Sequence, residues 1–208
     1  MKTLSVALIA FVCFSTLVTG SPASIEFLDE STFKFDGHVV TTRVKPASPT
    51  LLAFHRSQAR SEPRALFARV PPNNACEFGC TIETCTNDLS SSPDPPLEAD
   101  CTALRDAIQA LAIKEVKANP SCVFVGNPNC PSFTVNPEFE RLFSLGTCLR
   151  GFINLEPVGG PPLSYCTGLM FSGLTSAYTR CITNAGNTGG FCTDQQTSAF
   201  YALELRHV

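Results

Sequence analysis

Ten cysteines fall in one block of the chain (Cys76, Cys80, Cys85, Cys101, Cys122, Cys130, Cys148, Cys166, Cys181 and Cys192), and Cys13 stands alone outside it. A dense, even set of cysteines makes either a disulfide framework or a metal site, and the two need different neighbours. Zinc sites are built from close cysteine pairs or from histidines at ligand spacing. Here the nearest spacings are Cys76-x3-Cys80 and Cys80-x4-Cys85, and the three histidines, His38, His55 and His207, all lie outside the block. The cysteines therefore read as up to five disulfide bridges with the pairing left open, and neither a metal nor another cofactor is implied.

Disulfides persist in oxidising compartments, and the N-terminus carries a route to one. Lys2 precedes a fifteen-residue apolar stretch from Leu4 to Val18, followed by the small residues Thr19 and Gly20. This is the layout of a secretory signal peptide over residues 1–20, with cleavage before Ser21. As a helix the stretch would span about 22 Å, short of the roughly 30 Å hydrocarbon core of a bilayer. The expectation is a secreted, extracellular protein with no membrane span. Removal of the signal also removes Cys13 and leaves the cysteine count even.

Charge divides the remainder near residue 70. Residues 21–70 hold seven basic and five acidic side chains and no cysteine, whereas residues 71–208 hold seven basic and thirteen acidic ones. A chain of net charge -3 with an acidic main domain is a poor match for nucleic acid, which selects basic surfaces. Residues 21–70 show short apolar runs without sustained period, which suits a pro-segment or flexible arm, with Arg64 and Arg69 as candidate processing points.

In residues 71–208, Cys101, Leu104, Ile108, Leu111 and Val116 recur at helical steps after Asp94-Pro95, and Asn119-Pro120 closes the run. This predicts a helix starting near Leu97, with Asp100 as a candidate cap. Short β-like stretches follow at 122–125, 133–135 and 147–155, then a second helix over 163–182, turns over 184–190 and a last strand over 199–205. The fold class expected is α+β: a disulfide-stapled domain with two helices packed on a small, mainly antiparallel sheet. Cys101, Cys166 and Cys181 fall on the apolar stripes of the two helices, where they could tie helices to the sheet.

Catalytic constellations are sparse. Imidazole-dependent hydrolysis needs a histidine beside the nucleophile, and the cysteine-rich domain has only His207, next to the C-terminus. Paired carboxylates for glycoside hydrolysis have candidates in Glu138 and Glu140, which would share a face of a strand, and in Glu77, Glu83, Asp194 and Glu204. The reading is accordingly not an enzyme. A small polar binding site is conceivable from Tyr165, Asn184, Asn187, Asp194, Gln195 and Tyr201, which combine aromatic surface with groups able to bond hydroxyls.

The run Gly146-Thr-Cys148-x3-Phe152-x-Asn154, then Tyr165-Cys166, Cys181, Gly189-Gly190-x-Cys192 and the apolar Phe200 to Leu205 resembles small secreted cysteine-rich proteins of fungi. It is similar to the C-terminal halves of mushroom glycan-binding lectins with an αβα sandwich, and to necrosis-inducing effectors with a killer-toxin-like fold. The resemblance covers about residues 98–205. It implies a non-enzymatic, lectin-like or effector-like binding protein that meets cell-surface or cell-wall glycans, or an extracellular protein. The alternatives are a disulfide-rich proteinase inhibitor, with 158–162 or 90–96 as its loop, and an acid-residue hydrolase.

Overall fold

The computed structural model describes residues 29–59, 84–89, 92–119, 121, 130, 132–193 and 200–208. The signal-peptide region, the strand expected at 122–125, Asp194 and Gln195, and Cys76, Cys80 and Cys122 lie outside the described residues.

The chain is α+β, and its centre is a seven-stranded sheet in which every neighbouring pair is antiparallel, in the order β1-β2-β5-β6-β9-β8-β3. The strands are β1 (Asp29–Phe35), β2 (His38–Pro46), β3 (Thr84–Thr86), β5 (Phe139–Leu145), β6 (Cys148–Asn154), β8 (Gly189–Thr193) and β9 (Tyr201–His207). A separate two-stranded ladder pairs β4 (Ser132–Val135) with β7 (Leu163–Cys166). Helix α1 (Pro49–Ala59) lies on one face of the large sheet. Helix α2 (Glu98–Ala118) lies on the other, with α3 (Thr167–Ser172), α4 (Leu174–Ala177) and a π-helix (Tyr178–Asn184) beside it.

The segment whose sequence lacks a sustained period supplies two strands and a helix. Asp36 and Gly37, both at positive φ (46° and 78°), make the two-residue turn between β1 and β2, the backbone that lets a tight hairpin follow the strand twist. β2 then pairs with β5 from Thr41↔Ser144 to Pro46↔Phe139. Residues 29–59 thus form one end of the main sheet.

On the α2 side the core is apolar and aromatic. Leu104 and Ile108 of α2, Met170 of α3 and Leu174 of α4 meet Phe143, Phe152, Leu203 and Leu205 from the sheet, all almost fully buried. Phe152 is stacked between Tyr165 at 4.8 Å and Tyr201 at 5.2 Å, and Phe133 meets it edge-on at 5.7 Å. Such aromatic pairs add about 0.5–1.5 kcal/mol each beyond the area they bury.

Two bridges have both ends among the described residues. Cys101–Cys148 fastens α2 to β6, and Cys85–Cys181 fastens the π-helix to β3. Cys130, Cys166 and Cys192 are also disulfide-bonded. Closing chain separations of 47 and 96 residues, native bridges of this kind contribute typically 2–5 kcal/mol. Cys101 and Cys181 are buried on helices as their stripe positions implied; Cys166 is also buried but ends strand β7 rather than lying on a helix.

Three local expectations are corrected. Asp100 does not cap α2: the N-cap is Leu97, without a side-chain cap. Asp100 instead accepts bonds from the backbone N–H and hydroxyl of Thr147, both at 2.7 Å, and so fixes the β5–β6 turn to the start of the helix. The second helix starts only after Cys166. Leu163–Cys166 is strand, because Leu163 and Tyr165 alternate into the core opposite Val135 and Phe133. The three-residue step from Leu163 to Cys166 imitates a helical stripe and conceals that alternation. Gly189-Gly190 is strand rather than turn. A β-carbon at Gly189 would sit 2.7 Å from the Leu205 carbonyl oxygen, and one at Gly190 2.6 Å from the Cys181 sulfur, so close approach rather than turning requires glycine.

Candidate functional site

Two places on the molecule gather groups with chemistry, and they lie in different layers. The first is a charged cluster on the α1 face of the sheet. Antiparallel register puts Lys45 of β2 opposite Glu140 of β5, and Glu204 of β9 between Gly151 of β6 and Phe191 of β8. The Glu204 side chain lies across Gly151, where a β-carbon would come within 2.8 Å of it. Lys45 Nζ is 3.1 Å from Glu140 Oε1, Arg206 Nε donates to Glu204 Oε1 at 2.8 Å, and an Arg206 terminal nitrogen is 3.9 Å from Glu140 Oε2. From above, α1 brings down His55, fully buried, with Nε2 3.6 Å from Glu204 Oε2 and its ring 4.9 Å from that of Phe191.

These surroundings drive the two carboxyls apart. Burial pushes Glu140 up to about 7, the Glu204 charge adds to the rise, and Lys45 and Arg206 oppose it. Burial also acts to raise Glu204, but the adjoining Arg206 charge and the facing His55 outweigh it and hold the carboxyl down at about 2. Arg206 is raised in turn, because the gain from Glu204 exceeds the cost of burying its charge. Two carboxyls separated in this way form a proton-holding and an ionised partner. The cluster is closed, however: Glu140 and Glu204 are at most 1% exposed. Both His55 nitrogens and Oε2 of both glutamates lack a hydrogen-bond partner among the described residues.

The second place is open. A cleft of about 680 Å³ runs between the β1–β2 turn and the first turns of α2, lined by Phe35, Asp36, His38, Glu98, Thr102 and Asp106 among others. Asp106 is bound to Arg105 at 2.6 Å, whereas Asp36 and Glu98 are exposed. Val39 and Leu97, the chain neighbours of lining residues, are 49% and 60% exposed. The cleft therefore offers carboxylate and imidazole groups to bond hydroxyls or a cation, with a half-buried phenyl ring at its side.

The residues singled out from sequence do not converge. Tyr165 and Tyr201 are core residues flanking Phe152 and are at most 1% exposed; their aromatic surface is spent inside the domain. Asn184 ends the π-helix at the surface, and Asn187 lies three residues on, with its side-chain amide donating to the Ala185 carbonyl at 3.4 Å. Asp194 and Gln195 lie outside the described residues. Glu138 and Glu140 do different work: Glu138 pairs with Arg56 of α1 at 2.9 Å, while Glu140 joins the buried cluster with Glu204.

Sequence reasoning missed Lys45, His55 and Arg206 in the cluster, and Phe35, Asp36 and His38 in the cleft. The run His38-Val-Val-Thr-Thr-Arg-Val does not alternate apolar and polar residues, so no signal in the sequence marked β2. Among the described residues no group of three or more His, Cys, Asp or Glu is placed to hold a metal ion, and no helix is long and apolar enough to cross a membrane. No protein-family model, curated protein or solved structure matches the chain.

Proposed function

We propose that the protein is exported and acts outside the cell as a non-catalytic binding protein, lectin-like or effector-like, whose cleft takes a hydroxyl-rich ligand of the glycan class. The observation that supports this reading is the composition of the open cleft. A half-buried phenyl ring, the exposed carboxylates of Asp36 and Glu98 and the exposed His38 imidazole line it together, whereas the groups suited to acid–base chemistry are sealed under α1. The two described disulfides suit a protein made for an oxidising compartment.

A screen of immobilised glycans, followed by calorimetric titration of any hit, tests the proposal. The double variant Asp36→Asn with Glu98→Gln keeps the turn, since asparagine also accepts positive φ. It should weaken binding at least about ten-fold, the loss of about 1.4 kcal/mol expected when hydrogen bonds to charged acceptors are weakened, without moving the melting temperature. Absence of any glycan binding, or binding that survives the double change intact, would overturn it.

A second reading, an acid-residue hydrolase, draws on the separation of Glu140 from Glu204. Glycan hydrolysis by the purified protein that disappears in Glu140→Gln would replace the binding reading. The loop at Val158, 81% exposed, is the candidate for a proteinase inhibitor. Its backbone folds back through a bond from the Gly160 N–H to the Pro157 carbonyl, which is unlike the extended form in which peptides add to a partner's strand.

A further inference from the structure

The described cysteines are all disulfide-bonded, but they differ in access to solvent. Cys101, Cys130, Cys148, Cys166, Cys181 and Cys192 are buried, and among the described residues only Cys85 keeps partial exposure. Its strand explains the difference. β3 is three residues long, ends the sheet among the described residues, and places Cys85 opposite Gly190 of β8. Cys181 reaches Cys85 from the π-helix across that glycine. A β-carbon at Gly190 would come within 2.6 Å of the Cys181 sulfur, so β8 packs directly against that end of the bridge. Thiol–disulfide exchange starts when a thiolate reaches one sulfur, and exposure selects which. Cys101–Cys148 is at most 1% exposed at both ends. Of the two described bridges, only Cys85–Cys181 offers an approach, and it does so at Cys85.

Little else holds β3. It makes three residue pairs with β8, and beyond it the Asn87 side-chain oxygen accepts from the Thr188 N–H at 2.8 Å and the Asn87 carbonyl from the Thr188 hydroxyl at 3.4 Å. Cys101–Cys148, by contrast, fastens α2 to β6, a strand paired on both sides. We infer that Cys85–Cys181 is a reducible clasp: an external thiol opens it ahead of Cys101–Cys148 and frees β3 from the π-helix while the rest of the sheet stays folded. The thiolate attacks the Cys85 sulfur, the S–S bond breaks, and its electron pair goes to Cys181, which takes up a proton. A second thiol then displaces the first from Cys85, so the protein gains two thiols and the reductant leaves as its disulfide. β8 thereby loses the strand that covers its outer edge. An uncovered edge is a row of free backbone N–H and C=O groups, so redox state sets whether Gly189–Thr193 present that edge. The cleft lies at the β1 end of the sheet, opposite β3, and the inference holds whether or not it binds a glycan.

The test treats the full chain with limiting dithiothreitol, quenches it with acid, unfolds and alkylates it, and maps the modified cysteines by mass spectrometry. Cys85 and Cys181 should appear at least ten-fold faster than Cys101 and Cys148. At that stage amide exchange over residues 189–193 should quicken while the protein still melts cooperatively. Equal rates, or earlier labelling of Cys101 and Cys148, overturn the inference. The double variant Cys85→Ser with Cys181→Ser should fold and exchange at residues 189–193 as fast as the mildly reduced protein. A variant that does not fold, or that exchanges like the oxidised wild type, would make the bridge a staple and not a clasp.

Discussion

The two faces of the large sheet bury their side chains by different physics. Against α2, Phe152 lies between Tyr165 and Tyr201, and the Cys101–Cys148 bridge closes one edge of a mainly apolar layer whose buried polar groups, Arg150 and Asn154, donate to the Met170 and Val135 carbonyls. Against α1, the apolar patch is five residues, and beside it lie Lys45, Glu140, Glu204 and Arg206 with His55 above them. The apolar face gains from each contact separately, so its parts are nearly independent. The charged face is stable only as a set, because each ion's desolvation is offset by the others. One face tolerates change by degrees; the other loses or keeps its balance as a whole.

The largest expected effect tests that distinction directly. Arg206→Met leaves Glu204 buried without its main counter-charge and should cost about 3–5 kcal/mol. Phe152→Ala on the opposite face should cost a similar 3–5 kcal/mol through its cavity. The two diverge on repair. Adding Glu204→Leu to Arg206→Met should recover most of the loss, since an apolar pair of similar volume replaces the ion pair, whereas no single change beside Phe152→Ala refills the void. Urea midpoints with unchanged slopes measure this. A near-neutral Arg206→Met would show that the cluster is not a closed set of charges.

The same contrast explains what the sequence could and could not disclose. α2 was legible because Cys101, Leu104 and Ile108 sit on one local stripe, and β4, β6 and β9 because short apolar runs are bounded by proline, asparagine or glycine. The buried tyrosines misled for a physical reason: Tyr165 and Tyr201 carry hydroxyls that suit a binding site, but their rings were needed around Phe152. β5 remained hidden because Glu140 and Arg141 interrupt its apolar pattern, and the partners that satisfy Glu140 are distant in sequence. Glu140 needs Lys45 and Arg206, and the Arg141 guanidinium lies over the Phe133 and Phe143 rings. The cluster was illegible for the same reason. Its histidine comes from a segment without cysteine or period, and nothing in residues 49–59 alone says that His55 reaches Glu204.

A smaller effect separates the faces by pH. Glu140, raised from its ordinary 4.5 to about 7, binds its proton more tightly folded than unfolded. Its contribution to stability is full below about 4.5 and declines as pH rises towards 7. Glu204, lowered to about 2, contributes fully above about 4.5 and loses that contribution as pH falls towards 2. The charged face should therefore be most stable near pH 4.5 and weaken in both directions. Glu140→Gln removes the decline on the alkaline side, so the variant should gain on the wild type by on the order of 1 kcal/mol or more between pH 4.5 and 7. Melting curves across that range check it; a difference that does not change with pH would remove Glu140 from the balance.

The smallest effect is at the rim of the charged face, where Glu138 meets Arg56 with both side chains about a quarter exposed. A pair this wet contributes about 0.2–1 kcal/mol, far below what Arg206 supports in the more buried part of the cluster. Glu138 also sits at φ 64°, a left-handed conformation that costs a residue with a β-carbon roughly 1 kcal/mol. Two replacements separate these contributions. Glu138→Ala loses the pair and keeps the strain, so it should destabilise by up to about 1 kcal/mol. Glu138→Gly loses the same pair but relaxes the backbone, and glycine's greater freedom in the unfolded chain takes back part of that gain. The glycine variant should therefore melt above the alanine variant and close to the wild type. If alanine equals glycine, the strain at 138 is absorbed by the bond from its N–H to the Asn154 carbonyl, and the rim is held by backbone rather than by charge.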